Sequence, residues 1–429
     1  MKKLIAATPL LCLAACGGAG LETAGSVAVP GPANGPGEAH SFTAPTQTKT
    51  YKAIAAGHSL GYRITDNYEY DKKTVLINGT STVVRDDATR FLTSEGRGSE
   101  LYVSDIGTIR NSGVDVTYDP KNAIYTLKIN QGGIDNSIQF QDPAHHTAFD
   151  GVREPQPGVP NLEKPIAGDA NWRDKGVQYF EVSQSTDDKY DVSTFFVELP
   201  GTSTKYVTYA GYVRNMVTKG VETTVTDDDS GATTRATSDH QLDRAAFAFG
   251  ELTPTSAVPK SGSASYSGAM IASAILNPTL DNPNASASYY QWMSGTANLS
   301  VDFANNSVTA NIAGTTMAPL FDRGPVLPPT GGLQNLIPAQ AAVPSGASFN
   351  ATGTATVDLV GTGGFTGGFN QAGFTWNGGA ERLDVDIIGS SLAGAFYGPK
   401  AEEVGGSFRI VGGIPDQRVD VLGSFTGKQ

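Results

Sequence analysis

The sequence predicts an all-β protein: a β-rich domain over residues 46–252, then an eight-stranded antiparallel soluble β-barrel over residues 253–429. Three observations predict it. Apolar and polar residues alternate with a period of two along many segments, the pattern of strands with one buried face. No amphipathic helix longer than two turns stands out in the first half. Glycine is abundant, at 51 of 429 residues, while charged residues are scarce at 17%, a balance that suits sheets and turns.

The chain opens MKKLIAATPLLCLAAC. Two lysines, a brief apolar run and small residues read as a secretory leader over residues 1–15, too short to span a bilayer. Leu13-Ala14-Ala15-Cys16 resembles the lipobox of bacterial lipoproteins, which implies Cys16 as the lipid-bearing (palmitate) first residue of the mature chain. Cys12 leaves with the leader. These two cysteines are all the chain has, so a disulfide framework and a Cys-ligated zinc site are excluded. The net charge of −12 becomes more negative when Lys2 and Lys3 are removed. It argues against a nucleic-acid surface and against a polybasic membrane patch. Other apolar runs fall short of the roughly 20 residues of a spanning helix, so the membrane is a partner through the lipid anchor.

Residues 16–45, rich in Gly, Pro and Ala, bury too little to order themselves and read as a flexible tether. About 30 such residues reach roughly 30 Å. Next come segments of short β pattern, among them VDVTYDP and AIYTLKIN, with Asp119-Pro120-Lys121-Asn122 as a hairpin turn. VETTVTDDDSGATTRATS reads as a polar hairpin. Tyr179, Phe180, Phe195, Phe196, Tyr206, Tyr209 and Tyr212 are expected in the core or on a sheet face.

Alternation is sharpest after residue 253. Ala297, Leu299, Val301 and Phe303 alternate with Thr296, Asn298, Ser300 and Asp302. Val308, Ala310 and Ile312 follow a turn at Asn305-Asn306, and pairing Phe303 with Val308 puts both apolar sets on one face. Similar sets are Phe349 to Leu359, then Leu383, Val385 and Ile387, then Val404, Phe408 and Ile410 against Ser407 and Arg409, then Val419, Val421 and Phe425. One apolar set per strand must fill the interior, so the closed sheet is a packed barrel and not a lipid-facing one. The Pro-rich segment 313–344 is a long insertion, of a length that is usually functional or disordered, and Leu320, Phe321, Leu327, Leu333, Leu336 and Ile337 make it unusually apolar for disorder.

Chemistry-bearing motifs are few. GTGGFTGGF and GAFYGPKAEEVGGSF lack the Gly-Lys-Ser/Thr ending of a phosphate loop, and GxSxG is absent. Asp227-Asp228-Asp229 lacks the spacing of a calcium loop. Glu402 and Glu403 are adjacent and do not face one another as an acid–base pair would. His145 and His146 are weak metal or haem candidates, since imidazole is a common ligand; a solvated loop pair is the plainer reading. His40, His58 and His240 stand isolated. Read locally, Gly394 to Phe408 is a strand, turn, strand corner. Pro399 opens a helical turn that Ala401, Glu402 and Glu403 continue.

That corner carries a resemblance. Gly394, Phe396, Tyr397, Gly398, Pro399, Ala401, Glu402, Glu403, Gly405, Gly406 and Phe408, with Gly423, Phe425 and Gly427 at the end, are similar to the closing strands of the transferrin-binding-protein-B-like β-barrel. The likeness covers roughly 253–429, and residues 46–252 only loosely, as the "handle" that accompanies each such barrel. It implies a single handle-plus-barrel lobe on an outer-membrane lipoprotein at the cell surface. The chain then holds no cofactor and binds a nutrient ligand or carrier, haem or an iron carrier, through loops. A TonB-dependent receptor is the second partner it implies. The alternative is an adhesin or host-factor-binding lipoprotein. Neither reading makes it an enzyme.

Overall fold

The computed structural model describes residues 47–429 except 71, 78–79, 86–88, 98–105, 123, 142–176, 187, 199–202, 228–230, 278–288, 318–342 and 414–417. Two large antiparallel sheets and a two-stranded one contain its strands.

The first sheet is built from β1 (Lys49–Tyr70), β4 (Thr89–Arg97), β5 (Ile106–Gly107), β6 (Val114–Asp119), β7 (Ile124–Gln131), β8 (Ile134–Gln141), β9 (Val177–Ser185), β10 (Lys189–Glu198), β11 (Val207–Asp227) and β12 (Gly231–Gly250). Its order is β8-β7-β6-β1-β12-β11-β10-β9, and β4 and β5 also pair with β1. β2 (Lys72–Ile77) and β3 (Thr80–Arg85) form a separate hairpin. Three strands are far longer than the short segments legible in the sequence: β1 has 22 residues, β11 has 21 and β12 has 20. The apolar–polar alternation that marks a strand in the sequence does not run the full length of these three.

The first sheet curls until its ends meet around one core. Phe140 of β8 lies 5.5 Å from Phe195 of β10, and Phe195 stacks on Phe247 of β12 at 6.3 Å. The β6–β7 turn forms as expected: the Asp119 carboxylate accepts the Lys121 backbone N–H at 3.0 Å and the Asn122 amide at 2.7 Å. β11 and β12 pair up to Asp227↔Gly231, as the polar hairpin requires. Phe195, Phe196, Tyr209 and Tyr212 are buried, and Tyr206 packs against the core. The side chains of Tyr179 and Phe180 are outside the described residues.

The second sheet closes. β13 (Ser263–Asn277), β14 (Tyr289–Asp302), β15 (Ser307–Thr316), β16 (Ser348–Asp358), β17 (Gly364–Trp376), β19 (Ile387–Tyr397), β20 (Glu403–Gly412) and β21 (Arg418–Lys428) form a ring of eight. β16–β17 pairing seals it, and β18 (Glu381–Asp384) hangs on β17 as a ninth strand. Closure removes the unpaired edges of an open sheet. The interior is filled by the expected apolar sets, with Phe303 and Phe365 against Phe396 at 5.5 and 5.7 Å and Phe369 against Phe408 at 5.7 Å.

Three local readings need correction. Val301, not Phe303, pairs with Val308, because residues 303–306 all enter the loop. The Asp302 carboxylate accepts the Ala304 and Asn305 backbone N–H groups and so widens the turn. The shift is two residues, so the faces are unchanged, and Asn306 takes a positive φ of 52°. Leu383 to Ile387 is not one strand: it divides between β18 and β19, with Val385 still buried. Finally, Pro399 starts no helical turn. Ala401 has φ +63°, left-handed, and Glu403 is already in β20.

Candidate ligand-binding surface

Cys16, His145, His146 and His40 lie outside the described residues, as do Asp228 and Asp229. Among the described residues no group of three or more His, Cys, Asp or Glu is placed to hold a metal. Glu402 and Glu403 do separate tasks. The Glu402 carboxylate accepts the Lys400 backbone N–H at 2.7 Å. Glu403 is buried and accepts the backbone N–H groups of Lys205, Tyr206 and Val207 at 2.6, 2.7 and 3.2 Å. Burial raises its carboxyl, and those three donors partly offset the rise.

Those donors lie at the start of β11 in the first sheet, so Glu403 fastens that sheet to the barrel. β1, β11 and β12 lie across the outer face of β19, β20 and β21. At the centre is a carboxylate, Asp420, with no exposure to solvent. Arg409 of β20 donates to both its oxygens, at 3.1 and 2.9 Å. Arg244 of β12 crosses the seam to Oδ1 at 2.6 Å, and also donates to the Asp420 carbonyl at 3.1 Å and the Ser273 carbonyl at 3.0 Å. His58 of β1, the register partner of Arg244, has Nδ1 3.3 Å from Oδ2 of Asp420.

The electrostatics follow from this packing. Burial alone would raise the Asp420 carboxyl; Arg244 and Arg409 outweigh it and hold the group well below the usual carboxylate range. Burial pushes His58 down to about 3, with Arg409, Arg244 and Arg418 acting the same way against the pull of Asp420. His58 is therefore neutral at physiological pH. The two guanidiniums pair with the Asp420 carboxylate across the seam, while His58 Nδ1 and Arg244 Nε are buried without a hydrogen bond.

Close approach at the seam requires glycine. A Cβ on Gly405 would sit 2.6 Å from Val207 Cγ2 and 3.1 Å from Ala248 Cβ. Thus the Gly394–Phe408 corner is more than a barrel turn: one side of it faces the barrel core and the other receives the first sheet. Ser407 and Arg409, expected to face solvent, are fully buried there. A second contact joins loop 108–113 to the barrel loop 358–363. Arg110 donates from its backbone to the Thr362 carbonyl at 3.3 Å and from its side chain to the Leu359 carbonyl at 3.0 Å.

Beside that contact, the first sheet carries a cleft of about 600 Å³. Asn111, Ser112 and Gly113 form one wall, Asp115 and Lys128 to Gln131 its β6–β7 side, and Asp135 to Ser137 the β8 side. Nothing in the sequence marks it, since its residues are ordinary solvated strand and turn types. Pairing of β6, β7 and β8 and the approach of loop 108–113 bring them together. At the barrel end, the feet of the long insertion are pinned together. The Gln291 amide donates to the Met317 and Val343 carbonyls at 3.0 and 2.7 Å.

Comparison with known proteins locates the barrel. Residues 258–429 match the family model of the C-lobe and N-lobe beta barrels of Tf-binding protein B. No curated protein matches the chain. Among solved structures, a double mutant of Transferrin Binding Protein B from Haemophilus parasuis Hp5 is 14% identical, over 88% of this chain and 77% of its own, with a TM-score of 0.27. The isotype 1 protein from serogroup B Neisseria meningitidis is 12% identical, over 87% and 77%, with a TM-score of 0.24. The family match covers the barrel alone, less than half of the chain, and the structural likenesses add nothing to it.

Proposed function

Given that residues 258–429 are a β-barrel of the Tf-binding protein B type, we propose that this protein is a surface lipoprotein that captures a nutrient carrier and delivers it to a TonB-dependent uptake system. The observation that carries this reading is the family match of the barrel. The carrier of the related proteins is named by their own description, transferrin; for this chain the class is an iron or haem carrier. Cys16 bears the lipid, and residues 16–45 let the body reach a carrier and return it to a neighbouring transporter at raised effective concentration. Capture is by loops, with no covalent chemistry. The seam around Asp420 supports the reading physically: a domain pair locked by buried ion pairs keeps loops of both domains in fixed relation, which favours binding a large partner.

Immobilised residues 46–429 are exposed in turn to iron-loaded transferrin, haemoglobin and haem-loaded albumin, and the full chain is labelled with palmitate in cells with Cys16 intact or as Cys16→Ser. Saturable retention of one carrier, with label lost in the variant, is the expected result. Retention of a host regulator in place of every carrier turns the reading to adhesion, and unlabelled wild type removes the anchor.

A further inference from the structure

We propose that the cleft beside loop 108–113 is a site for a neutral, polyhydroxylated small molecule of mono- or disaccharide size, distinct from carrier capture. Its volume of about 600 Å³ falls in the range of small-molecule sites, roughly 300–1,000 Å³. The lining selects the chemistry. Asn111, Asn130 and Gln131 each offer donors and an acceptor, Asp135 accepts, and Lys128 donates. A sugar hydroxyl also donates and accepts, so vicinal hydroxyls match such a mixed wall. Asp115 and Asp135 are balanced by Lys128 and by Lys52, 3.6 Å from Asp115, so an uncharged ligand fits the site better than phosphate or a carboxylate-bearing chelate. Ile129 is the apolar side chain among the lining residues, and it is buried. No aromatic ring lines the cleft among the described residues, so a flat apolar macrocycle such as haem has no wall to lie on.

The walls are also held in place before any ligand arrives. The Ser112 hydroxyl lies 2.6 Å from the Ala53 carbonyl and 2.7 Å from that of Val114. The Asn130 backbone N–H donates to the Gly113 carbonyl at 2.6 Å, and the Asn136 amide donates to the Tyr212 hydroxyl at 2.7 Å. Arg110 ties the adjoining loop to the barrel, so domain docking orders this wall. The Asp115 carboxylate is paired with Lys52, whose Nζ lies 3.6 Å from its Oδ1, which holds the β6 side of the wall. A pre-ordered polar wall binds a hydroxyl-rich ligand with little further ordering cost.

The test uses residues 46–429 with maltose, cellobiose and inorganic phosphate as probes, by saturation-transfer NMR and calorimetry. Asn130→Ala and Asp135→Ala are the variants, because both side chains are exposed and their residues pair across β7–β8. Unchanged thermal midpoints establish that they fold, and Lys128→Ala is a third variant on the same wall. One disaccharide is expected to bind saturably with Kd on the order of 1 mM, weakened at least tenfold by either variant. Three results overturn the proposal: no transfer to either disaccharide at about 10 mM, binding that survives all three variants, or preference for phosphate.

Discussion

β15 and β16 on one side of the barrel, and β20 and β21 on the other, belong to one closed sheet and look unlike each other. Along β16, burial alternates strictly from Phe349 to Asp358. Along β20 every residue is buried, and along β21 all but Lys428. The inward sets are equivalent: Phe349, Ala351 and Val357 on one side, Phe408, Ile410 and Phe425 on the other. The outward sets differ only in what covers them. Thr354 and Thr356 meet solvent, while Ser407, Arg409, Asp420 and Ser424 meet the first domain. Two-fold alternation thus reports which face fills the barrel and is silent about whether the other face is wet.

The strongest way to break this comparison is Asp420→Ala. It leaves Arg244 and Arg409 buried without their carboxylate, and removing one partner of such a pair costs about 3–5 kcal/mol. Urea unfolding of residues 46–429 should show that loss, with new protease cleavage between the domains. A loss below about 1 kcal/mol would mean that the seam is wet and that β21 resembles β16 after all. Next is Gly405→Val, which forces atoms into Val207 and Ala248. Overpacking of this kind costs about 1–3 kcal/mol, read as a lower midpoint; no change would show the two sheets free to separate at that point. Glu403→Ala deprives three backbone N–H groups of their acceptor. About 1–3 kcal/mol is expected, whereas Glu402→Ala, at the half-buried neighbour that accepts a single backbone N–H, should cost far less.

Acid sharpens the comparison through His58. Its folded value of about 3 lies below the ordinary 6.5, so between those values the unfolded chain binds the proton and the fold does not. Stability contributed by neutral His58 is complete above pH 6.5 and falls as pH drops toward 3, by at most about 1.4 kcal/mol per pH unit. Asp420 adds in the same direction only at still lower pH. Glu198 acts oppositely: burial pushes it up to about 7, so its effect diminishes stability as pH rises from about 4.5 to 7. His58→Gln should flatten the acid limb in denaturation measured from pH 7 to 4; an unchanged slope assigns that limb to other groups. The smallest effect is expected from Thr354→Ala on the exposed face of β16, within about 0.5 kcal/mol.

Much of the barrel was legible because one-sided burial writes itself into alternation. Leu299, Val301, Val308, Ala310 and Ile312 all face the core as read. The Gly394–Phe408 motif was legible as a strand, turn, strand corner and as a family resemblance. Its second task was not, because Gly405 and Glu403 act on Val207 and Lys205 from some 200 positions away. His58 likewise stood isolated in the sequence and sits beside Asp420 in the fold. Nothing in Asn130 or Asp135 marks a cleft until the β7–β8 hairpin and loop 108–113 are brought together.

By itself, then, the sequence determined the fold class, the eight-stranded ring and its inward residues. Each rests on local periodicity, and a slip of one residue would turn the whole apolar set outward. Only the tertiary structure decided that the barrel's second face on β19–β21 is buried, that Asp420 joins Arg244 to Arg409, and that polar turn residues converge into a cleft. Those outcomes depend on how two curved surfaces meet, and contacts between residues far apart in the chain leave no period to read.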